Sequence, residues 1–386
     1  MFNYINKICP ELLKVTTLSN KEIKSDCFLY SSNYNFLKQQ LDNENIKYFE
    51  YPFIKAFGVK LNIEQILKYA AKSMVSFISQ QTKVYTQIEI SKRIMAIDKF
   101  YENNIYGNNI TIAIIDTGIK PHLDFVMPRN RIIKFVDLIN NKQKPYDDNG
   151  HGTFVAGVAC GNGLISGRRF CSIAPQANII SIKALEKNGE AGAFKILEAM
   201  QWIFNNKEKY NIKVVCMSFG SVPLEKNDPL ISGAEALWNV GITVVAAAGN
   251  SGPESNTIKS PGFSSKIITV GGLDDNRITN LGLDKNLFEV ASFSSRGPAG
   301  FYYKPDLIAP AVNIKSASIE ECFYSVMSGT SVAAPMVAGV CCLILSKYPS
   351  FTPEEVKIKL LQYCKKLSKN KNEEGFGYLN FDKFFE

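Results

Sequence analysis

The pattern of apolar and polar positions divides the chain into two regions of different character. In residues 28–80, short strand-like runs are interspersed with two helix-like segments, which predicts a small α+β unit. Asn62 stands directly before the second helical segment, where an N-cap residue is expected. The predicted strands are Phe28–Tyr30, Lys47–Pro52, Ala56–Leu61 and Val75–Ser79, and the predicted helices are Asn35–Asn43 and Ile63–Ser73.

From residue 108 onward, short runs that are apolar throughout alternate with longer helix-like segments. Strands that are apolar at every position are buried on both faces, so this region predicts a mainly parallel sheet covered by helices. The predicted strands are Ile110–Asp116, Ile132–Asp137, Asn178–Leu185, Lys213–Phe219, Ile242–Ala248 and Ile267–Gly271. The predicted helices are His151–Cys160, Ala193–Asn205, Leu230–Asn239 and Ser331–Lys347.

Glycine usage changes sharply between the two regions. Of the 26 glycines, only Gly58 precedes Gly107. This shift predicts a domain boundary between about residues 80 and 95, with one domain over 1–85 and a second over 86–386. A length of 386 residues fits two or three domains.

Composition excludes several classes of protein. With 46% hydrophobic and 21% charged residues, the chain is globular rather than disordered. The net charge of +8 is spread over both regions, so we expect no nucleic-acid partner. The nine cysteines are scattered and include no C-x-x-C pair, which favours buried, reduced thiols in a reducing compartment.

The N-terminal residues include no apolar segment of the length found in signal peptides, and no run of 18 apolar residues occurs elsewhere. We therefore expect a cytoplasmic protein without a membrane partner, with unconventional export left open.

Only two histidines occur, His122 and His151, and they lie too far apart for an H-E-x-x-H zinc site. His151 begins a helix rich in small residues and is flanked by glycines, so its imidazole is uncrowded. It is a candidate general base, because its unperturbed pKa is close to neutrality. A histidine that merely caps the helix is the alternative.

Three further segments contain polar residues in positions suited to catalysis. Asp116 ends a buried strand, where open α/β sheets place functional groups. Ser331 lies at a helix N-terminus, beside free backbone N–H groups. Asn250 follows a buried strand and a glycine, where its amide could stabilise an oxyanion. Taken singly, Asp116 and Ser331 have a capping residue as the alternative, and for Asn250 alone a turn residue before Gly252-Pro253 is favoured.

Taken together, these four segments resemble the motifs of the subtilases, the subtilisin-like serine proteases, in which Asp, His and Ser follow one another in this order. The resemblance runs from about Gly107 to the segment 375–382, and it is closest to the signal-less intracellular bacterial type. Phe154 replaces the second histidine usual in the His motif, and the Ser motif reads Ser331-Val-Ala-Ala-Pro.

The resemblance implies a three-layer subtilisin-like fold with a mainly parallel central sheet, preceded by a small α+β, ferredoxin-like prodomain. It implies a serine endopeptidase with Asp116, His151 and Ser331 as catalytic triad and Asn250 as oxyanion donor. The residues implied to bind the peptide substrate are Ser218, Phe219, Gly220, Ala247, Ala248, Gly249, Gly189, Glu190 and Thr330.

The resemblance further implies a zymogen. Residues 1–85 would serve as chaperone and inhibitor, and autocatalytic cleavage would occur near Gln81–Ile88, where Lys83–Gln87 is predicted to be extended. We expect no required cofactor and no metal, because the loop 161–172 has no acidic residue with which to bind calcium. A weak cation site at Asp274 and Asp275 remains open, although surface carboxylates are favoured.

Two other functions are weighed against this one. A non-catalytic subtilase fold that only binds peptides would be expected to lack a triad residue, and none is lacking. A nucleotide-binding α/β protein would need a G-x-G-x-x-G motif after a strand, and none is present.

Overall fold

The computed structural model describes residues 4–9, 12, 24–80, 87–224, 227–276, 285–320, 323–367 and 370–386. These form two compact units, of which unit 1 takes the described residues up to Gln80 and unit 2 those from Gln87 onward. Most of the predicted processing segment, residues 81–86, lies outside the described residues. Gln87 already begins a helix.

Unit 1 is a four-stranded antiparallel sheet with two helices. Its strand order, β2-β3-β1-β4, together with the β-α-β-β-α-β sequence of elements, is that of ferredoxin-like folds, as predicted. The elements are β1 (Ser25–Ser31), α1 (Tyr34–Asn43), β2 (Tyr48–Tyr51), β3 (Ala56–Leu61), α2 (Ile63–Ala70) and β4 (Val75–Gln80), with 3-10 turns at Ile5–Lys7 and Pro52–Ile54.

Helix α2 shows why the local sequence specifies this unit. Asn62 caps its N-terminus and forms a capping box with Gln65, which confirms the predicted N-cap. Ile66, Tyr69 and Ala70 are buried in the core of the unit, as the 3.6-residue period requires. The helix ends at Ala70 rather than at the predicted Ser73.

Unit 2 is built on a ten-stranded sheet with the order β15-β16-β12-β10-β9-β8-β5-β7-β6, to which β11 adds beside β10. In this spatial order, every pair of neighbouring strands between β16 and β6 is parallel. The two remaining strands pair antiparallel, β11 with β10 and β15 with β16. The strands are β5 (Thr111–Asp116), β6 (Ile132–Asp137), β7 (Asn178–Lys183), β8 (Ile212–Met217), β9 (Thr243–Ala247), β10 (Ile268–Asp274), β11 (Glu289–Val290), β12 (Leu307–Pro310), β15 (Cys364–Lys365) and β16 (Tyr378–Leu379). A separate hairpin joins β13 (Ile314–Ala317) to β14 (Tyr324–Met327).

The helices of unit 2 pack against this sheet, which confirms the predicted subtilisin-like architecture of a mainly parallel sheet between helical layers. They are α3 (Gln87–Met95), α4 (Asp98–Glu102), α5 (Leu123–Val126), α6 (His151–Cys160), α7 (Ala193–Asn206), α8 (Pro229–Asn239), α9 (Thr330–Lys347), α10 (Pro353–Gln362) and α11 (Lys371–Glu374), with 3-10 turns at Leu164–Ser166 and Lys285–Leu287.

Helix α9 is the central helix of unit 2. It packs against α6 and against β8, β9 and β10, and its residues from Val332 to Leu345 are buried. It is also the one helix of the described residues that could span a membrane by length and composition. The sequence pattern predicts no such helix. Because 83% of its apolar window is buried within the protein, packing in the core accounts for its composition.

The position of β5 decides where the site can form. The chain runs from β5 to β6 and β7 on one side of the sheet, and then crosses to β8, β9 and β10 on the other. The carboxyl end of β5 is therefore a topological switch point, where adjacent connections leave in opposite directions and open a cleft. Asp116 is the last residue of this strand.

A buried ion network ties the start of β12 to the neighbouring elements. Lys304 donates to Asp306 Oδ2 at 2.6 Å and to Thr269 Oγ1 at 2.9 Å, and Lys357 Nζ lies 2.9 Å from Asp306 Oδ1. Burial lowers the pKa of Lys304 to about 8, although the charge of Asp306 opposes this. The single carboxylate of Asp306 thus neutralises two lysines whose side chains are at most 10% exposed.

We predict that Asp306→Asn lowers the free energy of unfolding by about 3–5 kcal/mol, because it leaves two buried ammonium groups without a counter-charge. Denaturant unfolding in a Ser331→Ala background measures this effect. Asp382→Asn is the matched control, since it breaks an ion pair with Lys365 whose side chains are nearly half exposed. The control should change stability by no more than about 1 kcal/mol, and equal effects of the two variants would contradict the prediction.

Candidate active site

The carboxylate of Asp116 and the imidazole of His151 form a direct pair at the carboxyl end of β5. His151 Nδ1 lies 2.8 Å from Asp116 Oδ1, which also accepts from the Thr117 N–H at 2.8 Å. The Asp116 side chain is 1% exposed, whereas that of His151 is 27% exposed. The pair therefore joins a buried carboxylate to an imidazole that remains accessible from the cleft.

Glycines allow helix α6 to begin this close to β5. Gly150, before the first helical residue, has φ of 104°, a left-handed conformation that glycine adopts readily. At Gly152, a Cβ would collide with the Gly118 carbonyl oxygen and lie 3.2 Å from the Cβ of Asp116. A larger residue at Gly152 would therefore push His151 away from its carboxylate.

A second carboxylate, Asp147, holds the start of α6 in place. It accepts hydrogen bonds from the hydroxyls of Thr117 and Thr153, at 2.9 and 2.7 Å, and from the backbone N–H groups of Gly150 and Thr153. Burial alone would raise the pKa of Asp147, but these hydrogen bonds outweigh it and lower the pKa. The sequence analysis assigned this residue no function, although it lies four residues before His151.

The environment of His151 favours its protonated form. Burial by itself lowers the pKa of an imidazole. The charge of Asp116 and its hydrogen bond, with a smaller contribution from Asp147, act in the other direction and raise the pKa of His151 above its ordinary value of 6.5. A proton that this imidazole accepts is therefore stabilised by the nearby charge of Asp116.

Ser331 and Asn250 meet around Gly329, just before α9. Gly329 has φ of 149°, and a Cβ at this residue would lie 3.2 Å from both Ser331 Oγ and Asn250 Nδ2. Ser331 lies in the first turn of α9, where backbone N–H groups have no intrahelical acceptor. A serine hydroxyl, an amide donor and the helix N-terminus thus converge on one point. No hydrogen bond joins Ser331 to His151 within the described part of the chain.

Thr330 orients the amide of Asn250. Its backbone N–H and its hydroxyl both donate to Asn250 Oδ1 at 2.9 Å, and the same hydroxyl accepts from the Gly249 N–H at 3.1 Å. Because Oδ1 is engaged in this way, Nδ2 is the amide atom turned toward Ser331. Thr330 is only 1% exposed. Thr330 is therefore a buried residue that holds Oδ1 of Asn250 through two hydrogen bonds.

The segments predicted to bind a peptide lie on either side of an open cavity. Gly189 and Glu190 on one side and Phe219 and Gly220 on the other line about 400 Å³, together with Leu185, Ala191, Ala193, Ile196, Ser221 and Leu230. Residues 218–220 form no backbone hydrogen bond within the described residues. Such unpaired backbone can accept an extended peptide as an added strand.

The remaining predicted residues lie at or just beyond the ends of β8 and β9. Ser218 is buried, with its hydroxyl 3.4 Å from Cys216 Sγ. Ala247 and Ala248 are buried at and beyond the end of β9, and Gly249 is only partly exposed. All of these residues belong to β8, to β9 or to the connections that directly follow them.

No group of three or more His, Cys, Asp or Glu side chains able to hold a metal ion occurs among the described residues. The carboxylate of Asp124 is occupied by the protein itself, since it accepts from the Ile165 N–H at 3.2 Å and from the Tyr324 hydroxyl at 2.7 Å. Asp274 accepts from the N–H of Asn276. The expectation about calcium remains a prediction.

Comparison with known proteins gives consistent similarities. The model of the Subtilase family matches residues 107–378. The chain is 39% identical to the serine protease AprX of Bacillus subtilis (strain 168), over 76% of this chain and 71% of that protein. It is 30% identical to a thermostable alkaline protease of Halalkalibacterium halodurans, over 81% of this chain and 78% of that protein. A cold-adapted subtilisin-like serine proteinase of known structure superimposes with a TM-score of 0.57 at 28% identity, over 72% of this chain and 89% of that one.

The two histidines provide a direct test of the electrostatics at Asp116. We predict that His151 titrates above pH 6.5 in an NMR pH titration and that Asp116→Asn lowers this pKa, because the charge that stabilises the imidazolium is removed. His122, buried and hydrogen-bonded to the Phe323 carbonyl, titrates below 6.5 and is the internal control. An unchanged His151 pKa in Asp116→Asn would contradict this account.

Proposed function

The chain belongs to the subtilase family and is a serine endopeptidase, and on this basis we propose that Asp116, His151 and Ser331 form its catalytic triad. The observation that carries this assignment is the 2.8 Å hydrogen bond between a buried Asp116 and a His151 that remains accessible. Ser331, at the start of α9, is the triad residue with a hydroxyl group and would act as the nucleophile. Sequence order and geometry support the same assignment.

In the proposed mechanism, neutral His151 accepts the proton of Ser331 Oγ through Nε2 as that oxygen attacks the scissile carbonyl. Nδ1 of His151 remains hydrogen-bonded to Asp116, which stabilises the imidazolium that forms. His151 then delivers its proton to the departing amine, which leaves an acyl ester on Ser331. Water, deprotonated by the same imidazole, hydrolyses the ester and restores the serine.

The tetrahedral intermediate carries a negative oxygen, for which we propose two donors. One is the backbone N–H of Ser331, which has no intrahelical acceptor because it lies in the first turn of α9, and the other is Asn250 Nδ2. Because Thr330 fixes Asn250 through its Oδ1, the donor is oriented before substrate arrives. Preorganised donors of this kind stabilise the transition state more than the ground state.

For the substrate, we propose an extended peptide that adds to the unpaired backbone of residues 218–220. The opposite edge is the segment of Gly189 and Glu190, across the cavity described above. Main-chain hydrogen bonds supply affinity with little demand on sequence, and the pockets decide which side chains are accepted. Ala247–Gly249 would form one wall of the pocket for the residue whose carbonyl is attacked.

We further propose that the protein is made as a zymogen and that unit 1 is its prodomain, acting as chaperone and inhibitor. Unit 1 has its own hydrophobic core, which includes Leu29, Leu37, Phe57, Ile66 and Tyr69, so it can fold as a separate module. The parallel sheet of unit 2 depends on non-local pairings, which form slowly. A small domain that folds early could lower that barrier.

The expectations about cofactors and location stay proposals. We propose that neither metal nor organic cofactor is needed, since the proposed chemistry uses only side chains and backbone. Eight cysteines within the described residues are unpaired, and six of them are buried. These unpaired thiols support the proposal of a reducing, cytoplasmic environment.

The alternative, a subtilase fold that binds peptides without cleaving them, is separated from this proposal by the chemistry of Ser331. We predict that Ser331→Ala abolishes hydrolysis of a generic peptide substrate, as do sulfonyl fluorides acting on the unchanged protein. Asn250→Ala should lower kcat by about 10²–10³ with little change in KM, because its amide acts mainly in the transition state. Full activity of Ser331→Ala, or a raised KM with unchanged kcat in Asn250→Ala, would contradict these roles.

A separate prediction concerns processing. Active protein should separate into two fragments by cleavage near residues 81–88, whereas Ser331→Ala should remain a single chain in mass spectrometry. A fragment of residues 1–85 should inhibit the mature enzyme when added back. An uncut full-length enzyme that is fully active and unaffected by the fragment would refute the zymogen proposal.

A further inference from the structure

Lys259 lies between the two segments that form the substrate pocket. Its backbone N–H donates to the Ala248 carbonyl at 2.9 Å, and the next residue, Ser260, pairs with Ser221 through two hydrogen bonds of 2.9 and 2.8 Å. Segment 259–260 therefore links the connection after β9 to the connection after β8. The backbone of Lys259 is thereby fixed beside both connections.

The aliphatic stem of Lys259 packs over two glycines. A Cβ at Gly220 would lie 2.5 Å from the Cβ of Lys259, and a Cβ at Gly249 would collide with its Cγ. The absence of side chains at both glycines is what makes room for the lysine. This close packing leaves the stem little freedom to move away from the pocket.

Lys259 has no counter-charge among the residues that the structure describes. It is only partly exposed, yet no carboxylate lies within 4.0 Å of its ammonium group and no hydrogen bond to that group is formed within the described residues. Many lysines of this chain have partners, for example Lys304 and Lys357 with Asp306. An ammonium group without a partner among the described residues, on a side chain packed beside the proposed pocket, is available to an anionic group of a bound molecule.

Lys259 packs on Gly249, which is the residue before the proposed oxyanion donor Asn250. The N–H of Gly249 donates to the Thr330 hydroxyl beside Ser331. A substrate residue whose carbonyl carbon is attacked by Ser331 would extend its side chain along Gly249. That side chain would reach the stem of Lys259 and its ammonium group.

We propose that Lys259 is a specificity-determining residue that selects an acidic side chain, glutamate or aspartate, on the residue whose carbonyl is attacked. This inference rests on the proposed triad and deepens it by naming the substrate class. An ammonium–carboxylate contact adds affinity for an acidic side chain and disfavours cationic side chains by repulsion. A competing outcome is that the stem of Lys259 only fills the pocket, which would favour small side chains regardless of charge.

Glutamate and glutamine peptides separate these outcomes, because the two side chains match in size and differ in charge. The test measures kcat/KM for chromogenic peptides that differ only in Glu, Gln, Ala or Lys at the residue before the cleaved bond. We expect the unchanged protein to prefer Glu over Gln by about tenfold or more, with the preference falling as salt is added. Lys259→Met should remove this preference, Lys259→Arg should keep it, and Lys259→Glu should shift it toward the Lys peptide.

Lys266→Met is the matched control. It removes the same charge from an exposed residue nearby whose ammonium group contacts Asn239, and it should keep the Glu/Gln ratio of the unchanged protein. A Glu/Gln ratio near one in the unchanged protein, or an equal ratio in Lys259→Met, would overturn the proposal. If hydrolysis of the Gln and Ala peptides still depends on Ser331 in that case, the proposed function stands and only the specificity inference fails.

A binding measurement tests the inference without catalysis. Calorimetric titration of Ser331→Ala with the Glu and Gln peptides should show tighter binding of the Glu peptide, and the added Lys259→Met substitution should remove the difference. Equal affinities, including no measurable binding of either peptide, would count against the proposal.

Discussion

The hydrogen bond between Asp116 and His151 is the interaction on which the rest of the site depends. The side chain of Asp116 is 1% exposed, and burying its charge costs free energy unless hydrogen bonds and an opposite charge compensate for the lost water. Here Oδ1 accepts from His151 and Thr117, whereas Oδ2 has no partner within the described residues. The buried charge is therefore best compensated when His151 is protonated, which is the state that the proposed mechanism forms when Ser331 gives up its proton.

The fold provides this arrangement by bringing together segments that are distant in the chain. β5 ends at Asp116 at the switch point of the sheet, α6 begins at His151, and α9 begins beside Ser331. Both helices start next to a glycine with positive φ, Gly150 and Gly329. The site is thus assembled from one strand end and two helix N-termini, where unpaired N–H groups and oriented dipoles favour negative charge.

The elements that the sequence predicts well are those with strong local signals. Strands β3 and β6 and helix α6 have the predicted bounds, because apolar runs and glycines delimit them. The hairpin β13–β14 and helix α10 were not predicted. The hairpin strands are only four residues long, and α10 is amphipathic within a charged segment.

The residues of the site differ in the same way. Some are recognisable from the adjacent sequence, and others only from contacts with residues distant in the chain. His151 and Ser331 stand in recognisable local sequences, so they could be identified without coordinates. The function of Asp147 depends on Thr117, which lies 30 residues away, and that of Thr330 depends on Asn250, which lies 80 residues away. The position of Lys259 against Gly220 and Gly249 follows from two connections that meet only in the folded chain. No local pattern contains these pairings.

The most direct measurement of the central claim is the rate at which a fluorophosphonate modifies the protein as a function of pH, with the modified residue located by mass spectrometry. The account predicts that Ser331 alone is modified. It also predicts that the rate rises with pH through the pKa of His151, above 6.5, because only the neutral imidazole can accept the serine proton. Modification at another residue, or a rate at Ser331 that does not change across this range, would contradict it.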